Sequence, residues 1–255
     1  MKSWQYILFS VLNVVLAVYL VLAVTAFNTP DKSAERCENI EINITEGNTN
    51  GFLTEKNILS MLQQHNISPL GNVPDSINIR EVEKLLKASP LVKEAEASVT
   101  AEGNLIIDVE QRLPIMRVKT YNDDYYIDES GNIMPPTPYN VDVIVATGYI
   151  SKNYARQYLF PLATTINEDE LWQQQIEQIN ILANRGVELV PRVGNHIIYI
   201  GHLPANNGEE NNIATFITKK LDRLEKFYKY GLARIGWEKF NYINIEYDNQ
   251  IICKK

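Results

Sequence analysis

Between Lys2 and Asp31 the chain carries no charged side chain, and from Tyr6 to Phe27 it reads YILFSVLNVVLAVYLVLAVTAF. As a helix at about 1.5 Å per residue, this stretch is roughly 33 Å long, close to the ~30 Å hydrocarbon core of a bilayer. Trp4 and Tyr6 stand where an interfacial aromatic belt is expected. Val24-Thr25-Ala26 resembles a signal-peptidase site, but signal h-regions run only about 7–15 apolar residues, so the length favours a retained anchor. The reading is a short cytoplasmic tail at 1–5, a transmembrane helix at 6–27, and everything beyond it outside the cytoplasm. Lys2 and the amino terminus are the only positive charges before the segment, and Asp31, Lys32, Glu35 and Arg36 nearly cancel after it. A short tail with a large domain behind it makes that orientation the easier one.

The remaining residues are enough for two ordinary domains. A formal charge of −7 argues against a general nucleic-acid binder, which needs a basic surface to replace phosphate counterions. Two cysteines, Cys37 and Cys253, define no disulfide framework.

After a polar linker at 28–38, alternation of Ile40, Ile42 and Ile44 predicts a strand, and Gly47 to Gly51 a turn. Thr54 is a good N-cap for a helix to about Gln64, with Ile58, Met61 and Leu62 as its apolar stripe. Asn78, with Glu81 three residues on, opens a second helix that Ser89-Pro90 stops. Val92 to Thr100 and Leu105 to Glu110 then read as strands. Two helices over one face of a three-stranded sheet would bury a small core. The first of these two strands sets Val92, Glu94, Glu96 and Ser98 against Lys93, Ala95, Ala97 and Val99, a polar face suited to a separate contact.

From Pro114 the rhythm changes. Strands are expected at Ile115–Lys119, Tyr125–Ile127 and Ile133–Met134, with Asp128 to Asn132 as a hairpin turn, and at Val141–Ala146. Pro135, Pro136 and Pro138 mark a rigid loop. The spacing of Leu171, Trp172, Ile176, Ile179 and Leu182 predicts a helix over 169–184. A hairpin follows at Val187–Val193 and His196–Ile200, then the strongest amphipathic helix, Ile213 to Tyr228. The chain closes on a strand at Ile243–Tyr247, a turn at Asp248-Asn249, and a strand through Ile251-Ile252-Cys253.

Catalytic signatures are missing. His196 and His202 share parity on one strand but have no third ligand nearby. Asp123, Asp124, Asp128 and Glu129 crowd one hairpin without calcium-loop spacing. There is no Gly-rich phosphate loop and no GxSxG turn. No cofactor, metal or catalytic residue is expected, and the reading is non-enzymatic.

With these motifs in hand, the chain resembles the bacterial cell-division family FtsQ, called DivIB in some lineages. The likeness rests on Ser89-Pro90-Leu91-Val92-Lys93-Glu94-Ala95 and Val109-Glu110-Gln111-Arg112-Leu113-Pro114 in the first unit. In the second it rests on Tyr125-Tyr126-Ile127-Asp128-Glu129-Ser130-Gly131, Val193-Gly194 with Ile200-Gly201, Lys220-Leu221 with Phe227-Tyr228, and Ile243-Asn244-Ile245-Glu246-Tyr247. The resemblance implies an α+β fold: a single transmembrane helix, a POTRA domain of β-α-α-β-β order at 39–113, and a mixed β-sheet domain with packed helices at 114–255. It implies a single-pass inner-membrane scaffold at the division septum, linking divisome membrane proteins. Its implied partners are FtsB-like and FtsL-like coiled-coil proteins, bound through the terminal strands at Tyr247, Gln250, Ile251, Ile252 and Cys253. The sequence departs from the family in its turn, Asp248-Asn249-Gln250, which lacks the glycine common there, and in stopping at Lys255 without the longer tail of some members. Taken alone, the residues leave open a POTRA-containing envelope assembly or secretion protein, or a membrane-anchored envelope enzyme.

Overall fold

The computed structural model describes residues 3–27, 36–45, 53–136, 141–205 and 212–255. The linker up to residue 35, the Gly47–Gly51 turn and Pro138 lie outside them. The apolar stretch is one helix, α1 (Ser3–Phe27), whose described side chains are Trp4 and the run from Leu8 to Val24. Counted over described residues alone, no helix is long and apolar enough to cross a membrane.

The first folded unit has the order β1 (Ile40–Thr45), α2 (Glu55–Gln64), α3 (Ile79–Lys87), β2 (Val92–Val99) and β3 (Leu105–Gln111). Thr54 caps α2 by accepting from the Asn57 amide, and Asn78 caps α3 through the Glu81 amide. The sheet order is β1-β3-β2, with β1 parallel and β2 antiparallel to the central β3. Ile58, Leu62, Val82 and Leu86 from the helices close on Val92, Ala95, Leu105, Ile107 and Val109. A register shift between Val92 and Glu94 puts Val92 and Ala95 on the same buried side, so strict alternation along β2 starts only after the bulge. On the free side of β2, the Ala97 amide donates to Glu83 Oε1 at 3.0 Å. Cys37 is not linker: it is buried in this core, its backbone bonded to the loop at Gly71 and Asn72.

The second sheet has nine strands: β4 (Pro114–Lys119), β5 (Asp124–Asp128), β6 (Ile133–Met134), β7 (Ile144–Gly148), β8 (Ile176–Ile181), β9 (Gly186–Pro191), β10 (Ile197–His202), β11 (Tyr242–Asn244) and β12 (Ile252–Lys254). Their spatial order is β12-β11-β10-β9-β8-β7-β4-β5-β6, with parallel pairs at β4/β7, β7/β8 and β10/β11. Over one face lie α4 (Lys152–Tyr154), α5 (Phe160–Glu168), α6 (Glu170–Gln175), α7 (Asn212–Phe227) and the short α8 (Ala233–Ile235). Leu159, Leu162, Ile166, Trp172, Ile217, Leu221 and Leu224 pack there on Ile144, Ile179, Leu189, Ile198 and Ile243.

Three elements differ from the expectation. The helix expected over 169–184 is only the six residues of α6, and β8 takes over at Ile176. A bulge between Ile176 and Gln178 leaves Ile176 and Ile179 facing the same core three residues apart, a spacing that imitates a helical stripe. Conversely, the helical run from Lys152 to Glu168 was not foreseen. It passes through a π turn at Ala155–Leu159 immediately before Pro161, so proline's missing amide falls at an already irregular register. Strand β7 also begins at Ile144, not Val141.

The two units meet at a polar joint. Arg112 Nε donates to the Val92 carbonyl at 3.0 Å, and its Nη1 reaches Asp128 Oδ2 at 2.7 Å. Asp128, whose side chain is 2% exposed, also accepts from the Ser130 and Asn132 amides, across a turn that Gly131 enters at φ 78°. Lys93 bonds both Glu110 of the first unit and Glu129 of the second. Leu91 packs beside Tyr126, Met134, Val141 and Val143. The sequence stretches around Arg112 and Asp128 thus come together in space.

Burial alone would push the Asp128 carboxyl up, but the bonds from Arg112, Asn132 and Ser130 outweigh it and hold it below the usual range. A carboxyl depressed on folding contributes stability above its unfolded pKa and loses that contribution as pH falls through the folded value. Arg112→Ala is expected to cost about 2 kcal/mol and to move the acid loosening of β5 and β6 to higher pH. Amide hydrogen exchange across a pH series reads this; equal profiles for variant and wild type would contradict it.

Candidate functional site

The end of the sheet at β12 holds the residues for which the family resemblance implies partner contacts. β12 pairs antiparallel with β11 through Tyr242↔Lys254, Ile243↔Cys253 and Asn244↔Ile252, and its other side is the margin of the sheet. Such a margin presents unpaired backbone donors and acceptors. The penultimate strand is shorter than expected, and the last one lies a residue further on, at Ile252–Lys254. β11 stops at Asn244 because the Asn244 side chain accepts from the Glu246 amide at 2.8 Å, turning the chain away from the ladder.

The register assigns the faces. Cys253 lies opposite the fully buried Ile243, and Cys253 and Ile251 pack against the main core. Burial pushes the Cys253 thiol up, which makes it a poor nucleophile. Ile252 points to the other face at 38% exposure, while Tyr247 is 50% exposed in the connecting turn and Gln250 is exposed. Of the five residues singled out, Tyr247, Gln250 and Ile252 are therefore available at the surface. Ile251 and Cys253 mainly hold the strand down. Both cysteines are free thiols.

The turn from Ile245 to Ile251 is fastened to α7. Arg223 donates to the Ile245 carbonyl and Lys220 to the Glu246 carbonyl. Lys220, only 3% exposed, also reaches Asp248 Oδ1 at 3.2 Å, and Lys219 reaches Oδ2 at 3.3 Å. Hydrogen bonds from Lys220 and then Lys219 hold the Asp248 carboxyl below its ordinary range. Gly201, at φ 90°, lies where a Cβ would stand 2.9 Å from the Glu246 side chain, so glycine is needed both for the backbone and for the space. Arg223 and Asp248 were not singled out from the sequence. The available signal was Lys220, a lysine inside the apolar stripe between Ile217 and Leu221.

His196 is buried, with Nε2 2.6 Å from the Tyr228 hydroxyl, and burial lowers its pKa. A bulge between Tyr199 and Gly201 breaks the parity it shares with His202. Among the described residues no cluster of three His, Cys, Asp or Glu side chains could hold a metal.

A β-α-α-β-β unit followed by a mixed sheet ending in a short open hairpin defines a class of POTRA-bearing proteins. Residues 35–110 match the POTRA-like domain. Residues 113–254 match the family described as FtsQ/DivIB, C-terminal related. The chain belongs to the FtsQ/DivIB family, which gives it a role in cell division. No curated protein matches it.

Lys220→Met keeps the side-chain volume and removes the ammonium. It leaves two acceptors of the terminal turn without a buried donor, at a cost of about 2 kcal/mol. Amides of β11 and β12 should then exchange roughly tenfold faster or more, with β7 and β8 unchanged. A uniform acceleration across the sheet would contradict this local role.

Proposed function

We propose that this protein is a non-enzymatic, membrane-anchored scaffold of the divisome, in which β12 is the edge that recruits an FtsB-like or FtsL-like coiled-coil protein. The division of labour follows the sequence reading: anchor at 6–27, POTRA domain at 39–113, β domain at 114–255. The observation that carries the proposal is the free side of β12, with Ile252 projecting from it and the turn beside it pinned by Lys220 and Arg223. A strand added there gains main-chain hydrogen bonds, and alternate side chains read the partner. Pinning the turn lowers the ordering cost of that addition.

The anchor is supported by the exposure of α1. From Leu8 to Val24 its described leucines, valines and phenylalanine are all more than half exposed, and apolar surface of that extent calls for a nonaqueous covering. With the chain inserted and its bulk outside the cytoplasm, the terminal edge faces the compartment where the septum is built. The polar face of β2, with Glu94, Glu96 and Ser98 exposed, is offered as a second, membrane-proximal contact.

Photo-cross-linking in growing cells tests the edge. The probe goes at Ile252, with Ile133 on β6, at the opposite margin of the same sheet, as control. A small coiled-coil division protein captured at Ile252 and not at Ile133, with the chain at mid-cell, is the expected result. Silence at Ile252 with the chain still at mid-cell would remove the edge as the recruiting site. Even distribution around the envelope would point to envelope assembly outside division.

A further inference from the structure

Among the described residues, the side of the nine-stranded sheet away from α4–α7 is covered by apolar packing at its β5–β6 end, where Leu91 of the first unit packs by Tyr126 and Met134. At the other end it is open. Register places on this open side two adjacent rows, Glu188 of β9, Tyr199 of β10, Asn244 of β11 and Ile252 of β12 in one, and Tyr242 of β11 with Lys254 of β12 in the next. Tyr199 and Tyr242 stack with ring centroids 6.3 Å apart. Glu246 and Tyr247 follow in the turn, next to Tyr199, whose hydroxyl is pushed up by burial and then by the charges of Glu246 and Glu188.

The charges on this side are unbalanced. Glu188 accepts only from neutral donors, the Asn180 amide at 2.9 Å and the Tyr242 hydroxyl at 3.5 Å. Among the described residues neither Glu188 nor Glu246 forms an ion pair, and the cations Lys219, Lys220 and Arg223 of α7 converge on Asp248. One cation does visit these rows: Lys254 Nζ sits 5.7 Å from the centre of the Tyr242 ring. The chain's own ammonium thus shows that a positive group reaching inward from the margin finds an aromatic face there. Carboxylates beside stacked tyrosines favour a cation both by charge and by ring quadrupole.

We infer that this open side, built from Glu188, Tyr199, Tyr242, Glu246 and Tyr247, binds lysine or arginine side chains of the same partner that pairs with β12. The inference rests on β12 being the partner edge. A strand added at β12 lies about 4.8 Å beyond it, so its long cationic side chains on this side pass over Ile252 towards Tyr242 and Glu246. The segment continuing from that strand crosses the rows to Tyr199 and Glu188. The partner is thereby specified as basic next to its pairing strand, and Lys254 occupies part of the site until it arrives.

The test uses the full chain in growing cells, with photo-probes at Ile252 and at Tyr247 and mass spectrometry of the cross-linked peptides. Capture of one partner at both positions is expected, through a peptide with lysine or arginine within two residues of the attachment point. The double change Glu188→Gln and Glu246→Gln should lower the Ile252 yield about tenfold, while hydrogen exchange of β9–β12 stays as in the wild type. Capture at Ile252 through a peptide without nearby cations, or an undiminished yield in the folded double variant, would overturn the inference and leave the edge reading standing. Silence at Ile252 would overturn both. If the double variant loosens the sheet, Glu246→Lys in the turn replaces it, and an unchanged yield there counts equally against the inference.

Discussion

A buried carboxylate holds this molecule's frame. Asp128 sits at the end of β5 with its oxygens filled by Arg112, Ser130 and Asn132, and Arg112 in turn grips the first residue of β2. One charge thus ties the exit of the first sheet to the entry of the second. Lys93 repeats the connection at the surface by bonding an acid from each unit, where solvent screening makes it worth little alone. The buried pair is the specific element, since a charge taken out of water tolerates only an arrangement that satisfies it. The joint fixes how the nine-stranded sheet stands relative to the POTRA-like unit, and hence where the distant margin at β12 lies.

The same logic recurs at the other end of the sheet. Lys220 is a buried ammonium with two oxygens of the terminal turn around it. Polar anchors thus stand at both ends of a sheet whose middle is aliphatic. Leu, Ile and Val build the core, and the charged residues set its geometry, one at the domain joint and one at the candidate edge.

Most of the first unit was legible because its signals are local. Thr54 and Asn78 cap, Ser89-Pro90 stops, and the central β3 alternates without interruption. The second sheet was less so, and the failures share a cause. β8 is buried and carries a bulge, so Ile176 and Ile179 reproduce a helical spacing in extended backbone. The run through Ala155 and Pro161 hides a helix behind a residue that normally ends one. At the candidate edge, the order of the strands and the opposite facing of Ile252 and Cys253 could be read from period-two alternation. Which of the two faces is buried could not, because it depends on Cys253 pairing beside the buried Ile243 of a neighbouring strand. The Lys220–Asp248 contact spans 28 positions and leaves no periodic trace.

The parallel pairing of β10 with β11 carries a kinetic consequence. Joining two neighbouring parallel strands requires a crossover, which here runs through α7 and the π turn that follows it. β11 reaches its place beside β10 across the whole length of that crossover, and β12 pairs only with β11. Contacts separated by so much chain are slow to close. An edge built from such distant contacts is expected to assemble late, after the sheet behind it. A partner that pairs with β12 selects finished molecules over folding intermediates without any separate checking step.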